Sequence, residues 1–301
     1  MDDFSRAYYY ELVFKLGFLE KKGNEFQDFF SEIMEKSYPG NFQRVRPWGK
    51  SGDKKNDGYL KSEQNIYQVY APNELKSSEA IEKIDKDFNG ALPFWKQYFD
   101  RWTFVHNSRQ GLGPDVLQKL LALQEANPQI KITHWGYEEL RQKVFSLQDE
   151  EIKALLGPSP TRKDLTKLAF EDLRIVLVGI GQQVPLVDSE VRPVPAGKLS
   201  ANALSVNVEI LLRSGMTKAD LVKRFFDDWH DPTLGDRVAE RFKEEYTSLK
   251  LTQLVPDDIF TRLFVFAGGG ERGTPMHEVA VLAVLAHLFE ECDIFEKPPN
   301  T

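Results

Sequence analysis

Apolar positions recur at helical spacing in both halves of the chain, and only the first half interrupts them with short runs of strand character. Phe26, Phe29, Phe30, Ile33 and Met34 stand at i, i+3, i+4, i+7 and i+8. This predicts an amphipathic helix over Glu25–Lys36, stopped by Tyr38-Pro39-Gly40. Tyr8, Leu12, Phe14 and Leu19 predict a leading helix from Phe4 to Lys21. Three runs separated by Gly, Asn, Asp and Ser clusters follow: Gln43–Arg46, a segment opening at Asp57, and Ile66–Ala71. They read as a three-stranded meander. A helix is then expected over Ser78–Phe99, punctuated by Asn89-Gly90 and Pro93. Next come a strand at Trp102–His106, a helix at Pro114–Ala126, a strand at Ile130–Trp135 and a helix at Tyr137–Leu147. Strands alternating with helices imply crossovers onto a mixed, mainly parallel sheet with helices on both faces.

Past Gly157-Pro158-Ser159-Pro160 the strand signal stops. Leu165–Val178, Ala203–Arg213, Lys218–Trp229, Gly235–Leu249 and Val279–Phe289 are all apolar-periodic, with a turn or excursion through SEVRPVPAGKLSANAL. The expected fold is therefore an α/β domain over residues 1–157 joined to an all-α domain over residues 161–301. A chain of 301 residues is long enough for two cores.

Composition adds boundaries. Hydrophobic residues make up 41% and charged residues 28%, as in a globular protein with a real core. A formal net charge of −7 argues against general adhesion to nucleic acid or anionic membrane. It leaves room for a local basic surface, and Arg44, Arg46, Lys50, Lys54, Lys55 and Lys61 cluster around the meander. The one cysteine, Cys292, has no intramolecular partner. The opening MDDFSRAYYYELVF lacks a signal-peptide layout, and no apolar run reaches the roughly 20 residues that span a bilayer. A cytoplasmic, reducing location is expected.

The candidate chemistry sits in the meander. Asp57 opens its second strand, and Gln68 and Tyr70 share one face of the third, because strand side chains alternate. An acid and a polar pair on adjacent strands make an oxygen-rich pocket that suits Mg²⁺. Other groupings have blander readings. His277, Glu278, His287, Glu290 and Asp293 lack metal-site spacing, and the residues between them describe a core helix. The run Gly268–Gly273 lacks the lysine and Ser/Thr of a phosphate-binding loop. His106 and Asn107 end a strand on the side where open sheets place ligands, where His106 is either a proton shuttle or structural.

The stretch RVRPWGKSGDKKNDGYLKSEQNIYQVYA (44–71) resembles the core of the PD-(D/E)XK nucleases, in particular the Mrr-type restriction endonucleases. That family shows a helix with an acidic residue, a glycine-rich turn holding a metal-binding aspartate, and a strand ending in (E or Q)-x-K. The helix here is EFQDFFSEIMEK, the turn SGDKKNDG and the strand IYQVYAP. The ends VHN (105–107) and HWG (134–136), each followed by a helix, extend the similarity over roughly residues 20–150. The resemblance implies a restriction-endonuclease-like mixed sheet flanked by helices, with Asp57, Gln68 and Glu25 (or, in the other alignment, Gln27) around Mg²⁺, and Asp53 as a further ligand. The lysine position holds Tyr70. An active enzyme then needs another ammonium, from Lys76 or secondly Lys61.

Two functions follow from the resemblance: a Mg²⁺-dependent endonuclease acting on DNA, or an inactive pseudo-nuclease that binds nucleic acid or a partner protein. In either, Arg44, Arg46, Lys54 and Lys55 would meet phosphates. A third reading makes Trp48, Tyr59, Tyr67 and Tyr70 an aromatic surface for protein contact. KLSANALSVNVEILLRSG, FKEEYTSL and VLAHLFEECDIFEKP resemble the C-terminal domains of effectors in bacterial ABC-ATPase three-component conflict systems. That resemblance implies protein partners including an ABC-type ATPase.

Overall fold

The structure, a computed structural model, describes residues 3–46, 54–181, 198, 202–270, 274–291 and 294–296. Trp48, Lys50, Asp53, Cys292, Asp293 and the last three residues of the Gly268–Gly273 run lie outside them. The chain divides into two compact units, Phe14–Leu156 and Met1–Val13 with Gly157–Thr301. The division after Leu156 falls beside the Gly-Pro-Ser-Pro run. The first thirteen residues group with the helical unit, where the sequence had placed them with the sheet.

Helix α1 (Asp3–Glu20) enters the sheet unit at Phe14. It is followed by α2 (Gly23–Ser37), β1 (Phe42–Arg44), β2 (Gly58–Leu60), a 3-10 turn at Lys61–Glu63 and β3 (Asn65–Tyr70). Then come α3 (Ser77–Trp95), β4 (Arg101–His106), α4 (Pro114–Ala126), β5 (Lys131–Trp135), α5 (Tyr137–Phe145) and α6 (Asp149–Leu156). The five strands lie in sequence order, β1-β2-β3-β4-β5. The expected meander is present: β1, β2 and β3 pair antiparallel, while β3, β4 and β5 pair parallel. The sheet is thus evenly mixed rather than mainly parallel. At its tight edge, a Cβ on Gly58 would fall 2.3 Å from the Phe42 ring, so only glycine lets β1 and β2 approach there.

Alternation along β3 and β4 builds two cores. Tyr67, Val69 and Val105 pack with Phe14, Phe18, Phe26, Phe30, Leu140 and Val144 on one face. Ile66, Trp102 and Phe104 pack with Ile84, Phe88, Val116 and Leu120 on the other. Each fully buried phenylalanine contributes about 1.5–3 kcal/mol, so both faces are well anchored. Helix α3 runs unbroken through Gly90 and Pro93. Proline costs little there, because it stands in the last turn, where a single intrahelical bond is lost.

The helical unit continues with α7 (Arg162–Lys167), α8 (Phe170–Gly181), α9 (Val206–Met216), α10 (Ala219–Asp228), α11 (Leu234–Leu251), α12 (Pro256–Phe266) and α13 (Pro275–Glu290). The single helix expected over Leu165–Val178 is two. Leu168 leaves the helical region, and the Asp172 carboxylate accepts from the Ala169 amide at 2.9 Å, opening a new helix. Helices α6 and α12 were not anticipated. Helix α13 is buried on all sides from Glu278 to Phe289. Helix α9 lies close against it, because a Cβ on Gly215 would fall 2.3 Å from the Leu282 carbonyl oxygen. No helix among the described residues is long and apolar enough to cross a membrane.

Candidate functional site

Asp57 lies one residue before β2, opposite Gln68, where the β2–β3 ladder ends. Its amide donates to the Tyr67 carbonyl at 2.9 Å, and its carbonyl accepts from Val45 at 3.2 Å, which fixes the backbone between two strands. The carboxylate is 4% exposed. Its Oδ1 accepts from the Gln27 side-chain amide at 2.7 Å. Its Oδ2 accepts from the Gln68 amide and from the Val69 N–H, both at 2.7 Å. The structure thus brings Asp57 and Gln68 together, as the sequence suggested.

Gln27, not Glu25, is the α2 residue that reaches Asp57; Glu25 is exposed in the first turn of that helix. Gln27 shares a face with Ser31, four residues on, which is fully buried. Gln68 Oε1 is buried without a hydrogen-bond partner. That lone oxygen is the one feature that would welcome a cation. The rest of the donor set does not suit magnesium. The Asp57 oxygens accept from three N–H donors, and Gln27 presents an amide nitrogen where a second acid would be needed. Among the described residues no group of three His, Cys, Asp or Glu side chains could hold a metal ion.

Tyr70 lies on the Gln68 face of β3, half-buried, its ring 6.1 Å from that of Phe104. Burial, and secondarily Glu79, raise its pKa, so the phenol stays protonated and neutral at physiological pH. It supplies no cation where the motif has lysine. Lys76 caps the start of α3 and points its ammonium at Glu79 (3.7 Å) and Glu74 (4.0 Å). Lys61 is exposed in the turn after β2.

The expected phosphate-binding residues are mostly engaged by acids. Arg44 grips Glu35 and Asp28, and Arg46 shares Asp28 at 2.9 Å. Lys55 pairs at 3.1 Å with Asp87, which Lys83 also reaches at 2.6 Å. Asp87 is wholly buried in α3 and escaped sequence reasoning, because Lys83 and Asp87 at i, i+4 read as an ordinary surface pair. Lys54 differs: its ammonium lies 5.0 Å over the exposed Phe94 ring, and its carbonyl accepts from the Trp95 indole at 3.1 Å. Trp95 in turn stacks on Tyr59 and meets Tyr98 edge-on, so an aromatic surface does exist. It centres on α3; Tyr67 is fully buried and Tyr70 packs inward.

His106 ends β4 and His134 stands one residue before the end of β5, with rings 5.8 Å apart, and neither His106 nitrogen has a hydrogen bond within the described residues. Burial, with His134 next, pulls the His106 pKa down to about 4, against a smaller opposing pull from Glu139. A neutral imidazole sealed at 1% exposure is packing rather than a proton shuttle. Asn107 donates to the Pro72 carbonyl at 3.0 Å, tying β4 to the end of β3.

In the helical unit, Glu278 is 1% exposed and accepts from the Gly270 N–H at 3.2 Å; burial pushes its pKa up to about 7. The buried Lys198 donates to the carbonyls of Phe289 and Ile294, both at 2.7 Å, capping the end of α13 with a cation, as a helix C-terminus favours. Asn202 adds two-way bonds to Glu296. Lys198 and Asn202 are thereby tied to the chain after α13. Residues 171–296 match the family described as C-terminal domain 10 of the ABC-three component (ABC-3C) systems. The match begins in α8 and runs past α13, covering the segments whose sequence resembled that group except the final Lys297 and Pro298. Comparison with the curated proteins and with the solved structures gave no match.

Proposed function

We propose that this chain is a component of an ABC three-component conflict system, in which residues 171–296 couple it to other components, an ABC-type ATPase among them. The match to the ABC-3C C-terminal domain supports this. Its α/β unit we read as nuclease-like in layout but built for recognition. The order α2, three meander strands, α3, β4, α4, β5, α5 agrees with what the Mrr-type resemblance implies.

One observation carries the recognition reading. The Asp57 carboxylate, which in an active site would meet metal and lysine, is instead held by the amides of Gln27, Gln68 and Val69. These contacts fasten α2 to the sheet. The ion pairs around Arg44, Arg46 and Lys55 reduce the positive field that duplex DNA would need, which favours a protein ligand.

The test has two arms. Plasmid and single-stranded DNA are incubated with the full chain in Mg²⁺ or Mn²⁺, and no cleavage is expected. Cleavage that Asp57→Asn abolishes would establish the endonuclease instead. Size-exclusion chromatography of the chain mixed with the ABC-type ATPase of its own system should give a joint peak. Separate elution would remove the coupling role.

A further inference from the structure

A cavity of ≈ 210 Å³ opens in the helical unit, where α10, the turn before α11, and the last turn of α13 meet. His287 and Leu288 belong to its lining, with Phe226 beside them; Lys223, Asp227, Asp236 and Glu291 supply its charges. The volume is below the roughly 300–1,000 Å³ of sites for drug-sized ligands, so it suits a single side chain.

Two features say what it takes. First, three carboxylates face one ammonium, and none of the four is in an ion pair among the described residues. The last turns of α10 and α13 also end here, adding the negative poles of two helices. Arg237, next to Asp236, is engaged by Asp231 at 2.8 Å. Second, the His287 imidazole is 9% exposed, with the Phe226 ring 5.7 Å from it, centroid to centroid. Burial, with Lys223 next, holds its pKa at about 4 against Asp227 and Asp220, so at neutral pH it offers a lone pair and an N–H to whatever enters.

We propose that this pocket receives one basic side chain, lysine or arginine, from a protein partner. The alkyl stem lies along Phe226 and Leu288. The cationic head meets Asp227, Asp236 and Glu291 and donates to the His287 ring nitrogen. The partner's identity rests on the coupling role proposed above; the pocket's chemistry does not.

The full chain, labelled at its five histidines, is titrated with N-acetyl-arginine amide, N-acetyl-lysine amide or putrescine while ring resonances are followed. A saturable His287 shift in the millimolar range is expected from either amide. The double variant Asp227→Asn/Asp236→Asn should weaken it about tenfold, as the loss of charge-assisted hydrogen bonds predicts. Lys223→Gln should tighten it, a gain that a folding defect cannot imitate. No saturable shift, or equal affinity in all variants, overturns the proposal. Markedly tighter putrescine binding overturns the protein source and assigns the pocket to a free amine. If the wild type joins its ATPase partner and the double variant does so equally well, the pocket falls while the coupling role stands. If the wild type joins no partner, the coupling role falls and the amide titration alone judges the pocket.

Discussion

Gln68 donates its side-chain amide to Asp57 Oδ2 at 2.7 Å, the same oxygen that the backbone of Val69 reaches from the next residue along β3. The aspartate is therefore a clamp across the end of a strand pair, with Gln27 joining it from α2.

Removing that clamp should cost stability. Asp57→Ala strands two buried amides and one N–H, each worth about 1–3 kcal/mol when left unpaired. A loss of about 3–5 kcal/mol in the sheet unit is expected from urea denaturation. An exposed metal-ligating acid would behave oppositely, since deleting an unpaired carboxylate often stabilises.

The two units should respond differently to acid. His106 has a folded pKa of about 4 against 6.5 for the free side chain, so the unfolded chain binds the extra proton between those values. Stability from this group is complete above pH 6.5 and is lost as pH falls toward 4, about 3 kcal/mol in all. In the helical unit His287 acts in the same sense, with a folded pKa of about 4. Glu278 opposes it: its folded pKa of about 7 exceeds the ordinary 4.5, so the native state binds the extra proton and gains stability as pH falls from 7 to 4.5. Hydrogen exchange should show β4 amides losing protection on acidification while α13 amides hold nearly level. Glu278→Gln should make α13 acid-sensitive too.

Gly215→Ala gains up to about 1 kcal/mol in helix propensity and loses more to the clash with the Leu282 backbone, which cannot swing aside as a side chain can. A net loss of about 1–2 kcal/mol is expected, read as a lower Tm for the helical unit.

Cleavage within Gly157–Thr161 should not release two separate pieces. Tyr9 and Tyr10 are buried and belong with the unit that begins at Gly157. The nicked chain should elute as one species, whereas deleting residues 1–13 should destabilise α13, as its faster hydrogen exchange would report.

The meander, the Gln68–Tyr70 face and the linker were legible because period two and Gly-Pro punctuation are local signals. The state of Asp57 was not, because it depends on the rotation of α2 about its axis. Glu25 and Gln27 flank the same apolar stripe, and the Gln27–Asp57 hydrogen bond, with Ser31 buried on the same face, settles which one faces the sheet. Asp87 was hidden for a related reason: an i, i+4 pair has the same spelling whether it lies in water or under a loop. The His287 cavity was invisible because its walls come from three elements, and the sequence around His287 spells only a core helix.

The placement of the first thirteen residues has a consequence for synthesis. Residues 1–13 are made before the residues beyond Gly157, so Tyr9 and Tyr10 must wait for their surroundings. The sheet, whose strands all lie between Phe42 and Trp135, can close in the meantime. Until then two large aromatic side chains have no core of their own to enter. A translation product that stops short of the helical unit is thereby marked for chaperones and proteases, and only a chain that has read through α13 covers Tyr9 and Tyr10.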